Sequence, residues 1–109
     1  MSDPIVVFIT APNYEEASRL ANLLVDERLA ACVQILPQME SVYRWQGKIE
    51  KQKEFLLIVK SVVEKFDELE KRIREAHSYD TPEIVAFPIS LGSQPYLEWL
   101  ITSLDESKT

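Results

Sequence analysis

From Ala30 to Lys60 the chain carries no helical periodicity, and this stretch limits the possible folds more than any other. Ala31 to Leu36 is apolar, Pro37 interrupts it, and Val42 to Trp45 resumes it as Val-Tyr-Arg-Trp. Proline cannot donate to a strand ladder, so Pro37 marks an edge, a bend or a bulge. Gln46-Gly47 suits a tight turn with glycine supplying positive φ, after which Lys48 to Glu54 is polar and Phe55 to Val59 wholly apolar. The pattern predicts one long hairpin. Arms of about 14 residues reach roughly 45 Å at about 3.3 Å per residue, against a diameter of about 35 Å for a compact domain of this size. The hairpin is therefore expected to overhang its own core. An isolated two-stranded ribbon tipped with Tyr43, Trp45 and Ile49 is marginal in water, and a neighbouring subunit is the expected cover.

The flanking elements are shorter. Ile5 to Ile9 is a continuous, largely β-branched run that stops at Thr10-Ala11-Pro12, the pattern of a strand buried on both faces. Asn13 followed by Glu16 gives a capping-box start, and Ala17, Leu20, Ala21, Leu24 and Val25 recur at helical spacing to about Arg28, with Glu15, Arg19, Asp26 and Glu27 outward. Ser61 with Glu64 repeats that signature before Val62, Phe66, Leu69, Ile73 and Ala76, and His77 should close this second helix. Ile84 to Ile89 reads as a buried strand, and Gln94 to about Leu104 as a short helix with Pro95 in its first turn. Asp105 to Thr109 should fray. Strand, helix, long hairpin, helix, strand, helix predicts an α+β fold in a single domain spanning 1–109. It is a ferredoxin-like βαββαβ arrangement with both main helices on one face of a four-stranded antiparallel sheet, plus a C-terminal helix. Phe8, Phe55 and Leu57 alternate with apolar rather than polar neighbours, so the open sheet face also needs a cover, which oligomerisation supplies.

Composition removes several function classes. With only two glycines, Gly47 and Gly92, no glycine-rich phosphate cradle can be built, and neither Cys-x-x-Cys nor His-Glu-x-x-His occurs. The net charge of -6 opposes nucleic acid and anionic membranes as partners. The single cysteine, Cys32, and a start at Met1 to Pro4 without a basic or apolar signal core lead to an expectation of the cytoplasm.

Chemistry can gather at Ala76 to Ser90, which joins the only histidine to the last strand. There the His77 imidazole, the Asp80 and Glu83 carboxylates and the Tyr79 phenol share one polar turn, Thr81 being biased out of the helical region by Pro82. A histidine on the last turn of a helix meets the negative end of the macrodipole, so a simple capping role for His77 stands beside a ligand role.

RLAACVQI (Arg28 to Ile35), SVYRWQGKIE (Ser41 to Glu50), HSYDTPEIVAFPI (His77 to Ile89) and YLEWL (Tyr96 to Leu100) together resemble the CutA family of divalent-cation tolerance proteins, in order and spacing from Ile5 to about Leu104. The resemblance implies a homotrimer whose long hairpin joins subunit contacts, kinship with PII-type signalling proteins, and an association with copper and other divalent metals. In some members copper ligation involves a cysteine in the first strand and two successive histidines at the helix end. Here those positions are Ile9, Ala76 and His77. Two uses follow from the resemblance. In the first, no cofactor is obligatory, and His77 with Asp80 or Glu83 holds Cu(II) or another divalent metal, further ligands coming from a second chain. In the second, an intersubunit cleft formed by Cys32, Tyr43, Trp45, Lys48, Lys60, Tyr79 and Glu83 binds a small anionic ligand, as a PII-like signalling module would. An enzyme is not expected, because a cysteine within an apolar strand makes a poor nucleophile for a His77 base.

Overall fold

The structure, a computed structural model, describes residues 2–105. The expected fraying from Asp105 onward therefore falls, apart from Asp105 itself, outside the described residues. The elements run β1 (Pro4–Ala11), α1 (Tyr14–Asp26), β2 (Cys32–Trp45), β3 (Lys48–Val62), a 3-10 turn (Val63–Lys65), α2 (Phe66–Ala76), β4 (Ile84–Pro88) and α3 (Gln94–Ser103). The sheet order is β2-β3-β1-β4, with every neighbouring pair antiparallel. This is the α+β, ferredoxin-like arrangement that the order of elements predicts. None of the helices is long and apolar enough to cross a membrane among the described residues.

Strand alternation decides what each face buries. Ile5, Val7, Ile9 and Ala11 of β1 pair with Ser61, Val59, Leu57 and Phe55 of β3, and this face carries Leu20 and Leu24 of α1 and Leu69 and Ile73 of α2 as one core. On the other face α3 covers only one end, where Leu100 and Leu104 pack with Val62. Lys60, which points the same way as Val62, lies 5.8 Å from the Tyr96 ring of α3.

The remainder of that face is open in the single chain. Phe8 stands edge-to-face with Phe87 at 4.9 Å, and Val85 and Phe87 are 48% and 42% exposed. β1 and β4 are thus not buried on both faces as their apolar runs predict. β4 is an edge strand, and only one face of the sheet receives the two main helices.

The hairpin is the expected one. Gln46 and Gly47 both take positive φ, 51° and 80°, as a tight two-residue hairpin turn requires. Past the Ala11–Phe55 pair β3 has no β1 neighbour, so from Met39–Glu54 to Trp45–Lys48 the two arms pair only with each other. The molecule is accordingly long and narrow, 47 × 26 × 23 Å. The proline produces a bulge: the register slips between Leu36 and Met39, with Gln38 at φ 27°.

The two capping-box signatures part company. The Asn13 side chain accepts the Glu16 N–H at 2.8 Å, which starts α1 as predicted. Ser61 does not start α2. It belongs to β3, and its buried hydroxyl donates to the Leu29 carbonyl at 2.7 Å, while the chain enters α2 through the 3-10 turn without a side-chain cap. What joins the outer surfaces of α1 and α2 is a two-pronged ion pair, Arg72 Nε and Nη2 donating to the Glu27 carboxylate at 2.8 and 2.7 Å, with Glu75 beside them. The Arg72 hydrogen bonds hold the Glu27 carboxyl below its usual range. A lowered folded pKa gives stability that is present above the unfolded value and lost as pH falls through the folded one. Arg72→Gln should therefore lower the thermal midpoint at pH 7, and the difference from wild type should close as pH drops below about 4. Parallel melts of the two proteins across pH check this.

Candidate functional site

The chain leaves α2 at His77, whose N–H still bonds the Ile73 carbonyl at 2.8 Å while its ψ of 147° turns the backbone out of the helix. This swing sends the imidazole inward, where its side chain is fully buried. Nε2 lies 2.7 Å from the Thr10 carbonyl at the end of β1, and Nδ1 lies 3.0 Å from the Tyr79 N–H. A carbonyl only accepts and an amide only donates, so Nε2 carries the proton and Nδ1 the lone pair.

Glu16 of α1 closes the same knot. Its Oε2 accepts the Ser78 N–H at 2.9 Å and lies 3.3 Å from His77 Nδ1. The carboxylate expected to return to the start of its own helix thus holds the turn after α2.

Tyr79 carries the knot outward. Its ring lies 4.9 Å from the imidazole, and its hydroxyl donates to Glu54 Oε2 at 3.0 Å. Burial pushes the phenol well above its usual pKa, and the Glu54 hydrogen bond and charge push the same way, so the hydroxyl stays a donor across ordinary pH.

Beyond Tyr79 opens a cleft of about 590 Å³ lined by Thr10, Ser41, Val42, Tyr43, Trp45, Glu54, Tyr79, Asp80, Thr81 and Glu83. Ser41, Tyr43 and Trp45 alternate along β2 and pair with Gln52, Glu50 and Lys48, which places them on the same face of the ribbon as Glu54.

Of the residues singled out in the sequence, Tyr43, Trp45, Tyr79, Asp80 and Glu83 meet in this cleft. His77 sits behind its wall. Cys32, Lys48 and Lys60 are not among its lining residues: Lys48 stands opposite Trp45 at the hairpin end, while Cys32 pairs with Lys60, which donates to Gln34 at 3.1 Å. Glu54 and Lys60 are six residues apart on β3, so Cys32 lies on the order of 20 Å along the sheet from the cleft. Glu16 and Glu54 are the functional positions that spacing did not reveal.

The donor set also bears on metal. Both ring nitrogens of His77 are engaged by backbone groups, so the ring offers no free lone pair. Among the described residues no three His, Cys, Asp or Glu side chains converge as a metal-holding group. Ile9 and Ala76 add no ligand to the imidazole. A copper centre built on His77 does not fit this arrangement within one chain. The knot itself has a measurable weight: Tyr79→Phe removes the donor that satisfies the buried Glu54 carboxylate and should cost about 1 to 2 kcal/mol, read by chemical denaturation at neutral pH.

Three comparisons with known proteins agree. The family model described as CutA1 divalent ion tolerance protein matches residues 5–103. The divalent-cation tolerance protein CutA of Thermus thermophilus is 50% identical over 95 residues, covering 87% of this chain and 92% of its own length. The chloroplastic protein CutA of Arabidopsis thaliana is 48% identical over 99 residues, and the chain spans only 54% of that relative's length. Among solved structures, CutA1 from Oryza sativa superposes with a TM-score of 0.92 at 46% identity, over 95% of each chain. The match in sequence and in fold, over nearly every element from β1 to α3, makes this chain a member of the CutA family of divalent-cation tolerance proteins.

Proposed function

We propose that the chain serves divalent-cation tolerance in the cytoplasm as a homotrimer, and that its carboxylate-lined cleft is where it meets the cation. One observation carries the reading: every charged side chain lining the cleft is acidic, namely Glu54, Asp80 and Glu83. Within a protein of net charge -6 such a recess concentrates cations. Its oxygens do not converge on one point within a single chain, which suits a divalent ion that keeps its water shell, whereas a tight copper site wants several imidazole or thiolate ligands. Asp80 and Glu83 are exposed at the mouth, open to ligands from a second subunit. The homotrimer is supported by the two apolar surfaces that a single chain leaves uncovered, the ribbon with Val42, Trp45 and Ile49, and the sheet face with Val85 and Phe87.

The anionic-ligand alternative depends on Lys48 and Lys60, and neither lines the cleft. No catalytic step is assigned: Cys32 is remote from the His77 knot, and the imidazole is already committed to two backbone partners.

Sedimentation at micromolar concentration should give three chains per particle, and a monomer would sink the assembly. In calorimetric titrations with Cu(II) and Mn(II), the double variant Asp80→Asn, Glu83→Gln should bind about tenfold more weakly than wild type, a loss of about 1.4 kcal/mol. Affinity that survives this change but vanishes in His77→Ala would move the site to the imidazole.

A further inference from the structure

We infer that the cleft takes an organic cation, a protonated aliphatic diamine or polyamine. This rests on the reading of the cleft as a cation site and names an organic class of ligand for it.

Glu54 is the first ground. It is only 6% exposed, although the ribbon around it is largely open to solvent. Carboxylates so buried are ordinarily paired with a cation or saturated with hydrogen bonds. Glu54 receives one hydrogen bond, from Tyr79, and among the described residues no lysine, arginine or histidine pairs with it. No fully buried side-chain oxygen among the described residues lacks a partner, so the second Glu54 oxygen keeps contact with solvent, and Glu54 lines the cleft. A largely buried carboxylate that holds one neutral donor and lines an open recess leaves room there for a positive group to join it.

The walls are the second ground. Tyr43, Trp45 and Tyr79 present ring surface. A hydrated metal ion gains little from such walls. An alkylammonium ion gains twice, because ring faces attract its positive charge and cover its methylene groups, while its N–H groups remain free to donate to carboxylates.

Size and charge placement are the third. At about 590 Å³ the cleft holds far more than one ion with a single shell of waters at about 30 Å³ each, and falls in the range of small-organic sites. Glu54 lies deep, while Asp80 and Glu83 are exposed at the mouth. A flexible chain bearing an ammonium group at each end satisfies both places at once, and no positive side chain among the lining residues repels it.

The test is calorimetric titration of the assembled protein with spermidine and with 1,4-diaminobutane, using 1,4-butanediol as the neutral control. Mn(II) is titrated separately. Wild type should bind spermidine saturably, one per subunit, at submillimolar affinity, and ignore the diol. Glu54→Gln should weaken spermidine at least tenfold. Trp45→Leu should weaken spermidine severalfold and leave Mn(II) unchanged, since the ring serves only the organic cation. Glu64→Gln makes the same charge change away from the cleft and should alter neither. Asp80→Asn replaces Glu54→Gln if the latter fails to assemble by sedimentation. Spermidine binding that is unsaturable, or equally sensitive to Glu64→Gln and Glu54→Gln, overturns the inference as diffuse charge attraction. Mn(II) binding that responds to the cleft carboxylates while spermidine does not bind leaves the cation reading standing and removes the amine. Absence of both ligands removes both.

Discussion

One imidazole, cut off from water, ties the turn after α2 to the end of β1 and the start of α1, more than sixty residues earlier. His77 donates to the end of β1 through the Thr10 carbonyl and accepts from the Tyr79 amide, and Glu16 of α1 seals the same turn through Ser78. Unpaired polar groups at this depth each cost a few kcal/mol, so the three bonds stand or fall together. Because the turn is fixed, the Tyr79 hydroxyl arrives at Glu54, and because Glu54 is held, the floor of the cleft has a defined charge. The histidine thus acts at one remove from any ligand. It is the peg on which the wall of the cleft hangs.

The rest of the molecule makes this wall half of a structure. β3 serves two parts of one sheet in succession: its second half is the centre of the packed domain between β1 and β2, and its first half is one side of a bare ribbon. The cleft lies at the junction, walled by the ribbon on one side and by the turn before β4 on the other. Surfaces meant for other copies of the chain and the surface meant for a cation are therefore neighbours, and the aromatic side chains of the ribbon belong to both.

Local signals carried the fold in the sequence. The hairpin was legible from the absence of helical spacing, the Gln46-Gly47 turn and the single interruption at Pro37, all of which act within a few residues. The Asn13 cap was legible for the same reason. Side-chain destinations were not. Glu16 and Ser61 each sit in an apparently ordinary capping pattern, yet their partners lie 62 and 32 residues away, at Ser78 and Leu29. A three-residue spacing looks identical whether the carboxylate turns back or reaches across. Lys60 failed as a cleft residue through distance, since six residues of β3 separate it from Glu54 and it lies instead beside Gln34 and Tyr96. Tyr43, Trp45, Tyr79, Asp80 and Glu83 could be grouped because the resemblance to a family placed ribbon and turn in one neighbourhood.

The bulge at Pro37 and Gln38 carries a consequence for how such a recess can change over time. Before it, the even-numbered residues of β2, Cys32, Gln34 and Leu36, oppose the even-numbered residues of β3; after it, the odd-numbered Met39, Ser41, Tyr43 and Trp45 do. A single inserted residue accounts for this exchange of parity. Loss of that residue would let the pairing run unbroken from Leu36–Leu56 to Met39–Glu54, so both rings would stay on the Glu54 side and only the local bend of the ribbon would go. Chain length at this one point therefore sets how the ribbon bends over the recess, so a deletion would reshape the recess while leaving the charge of its wall unaltered.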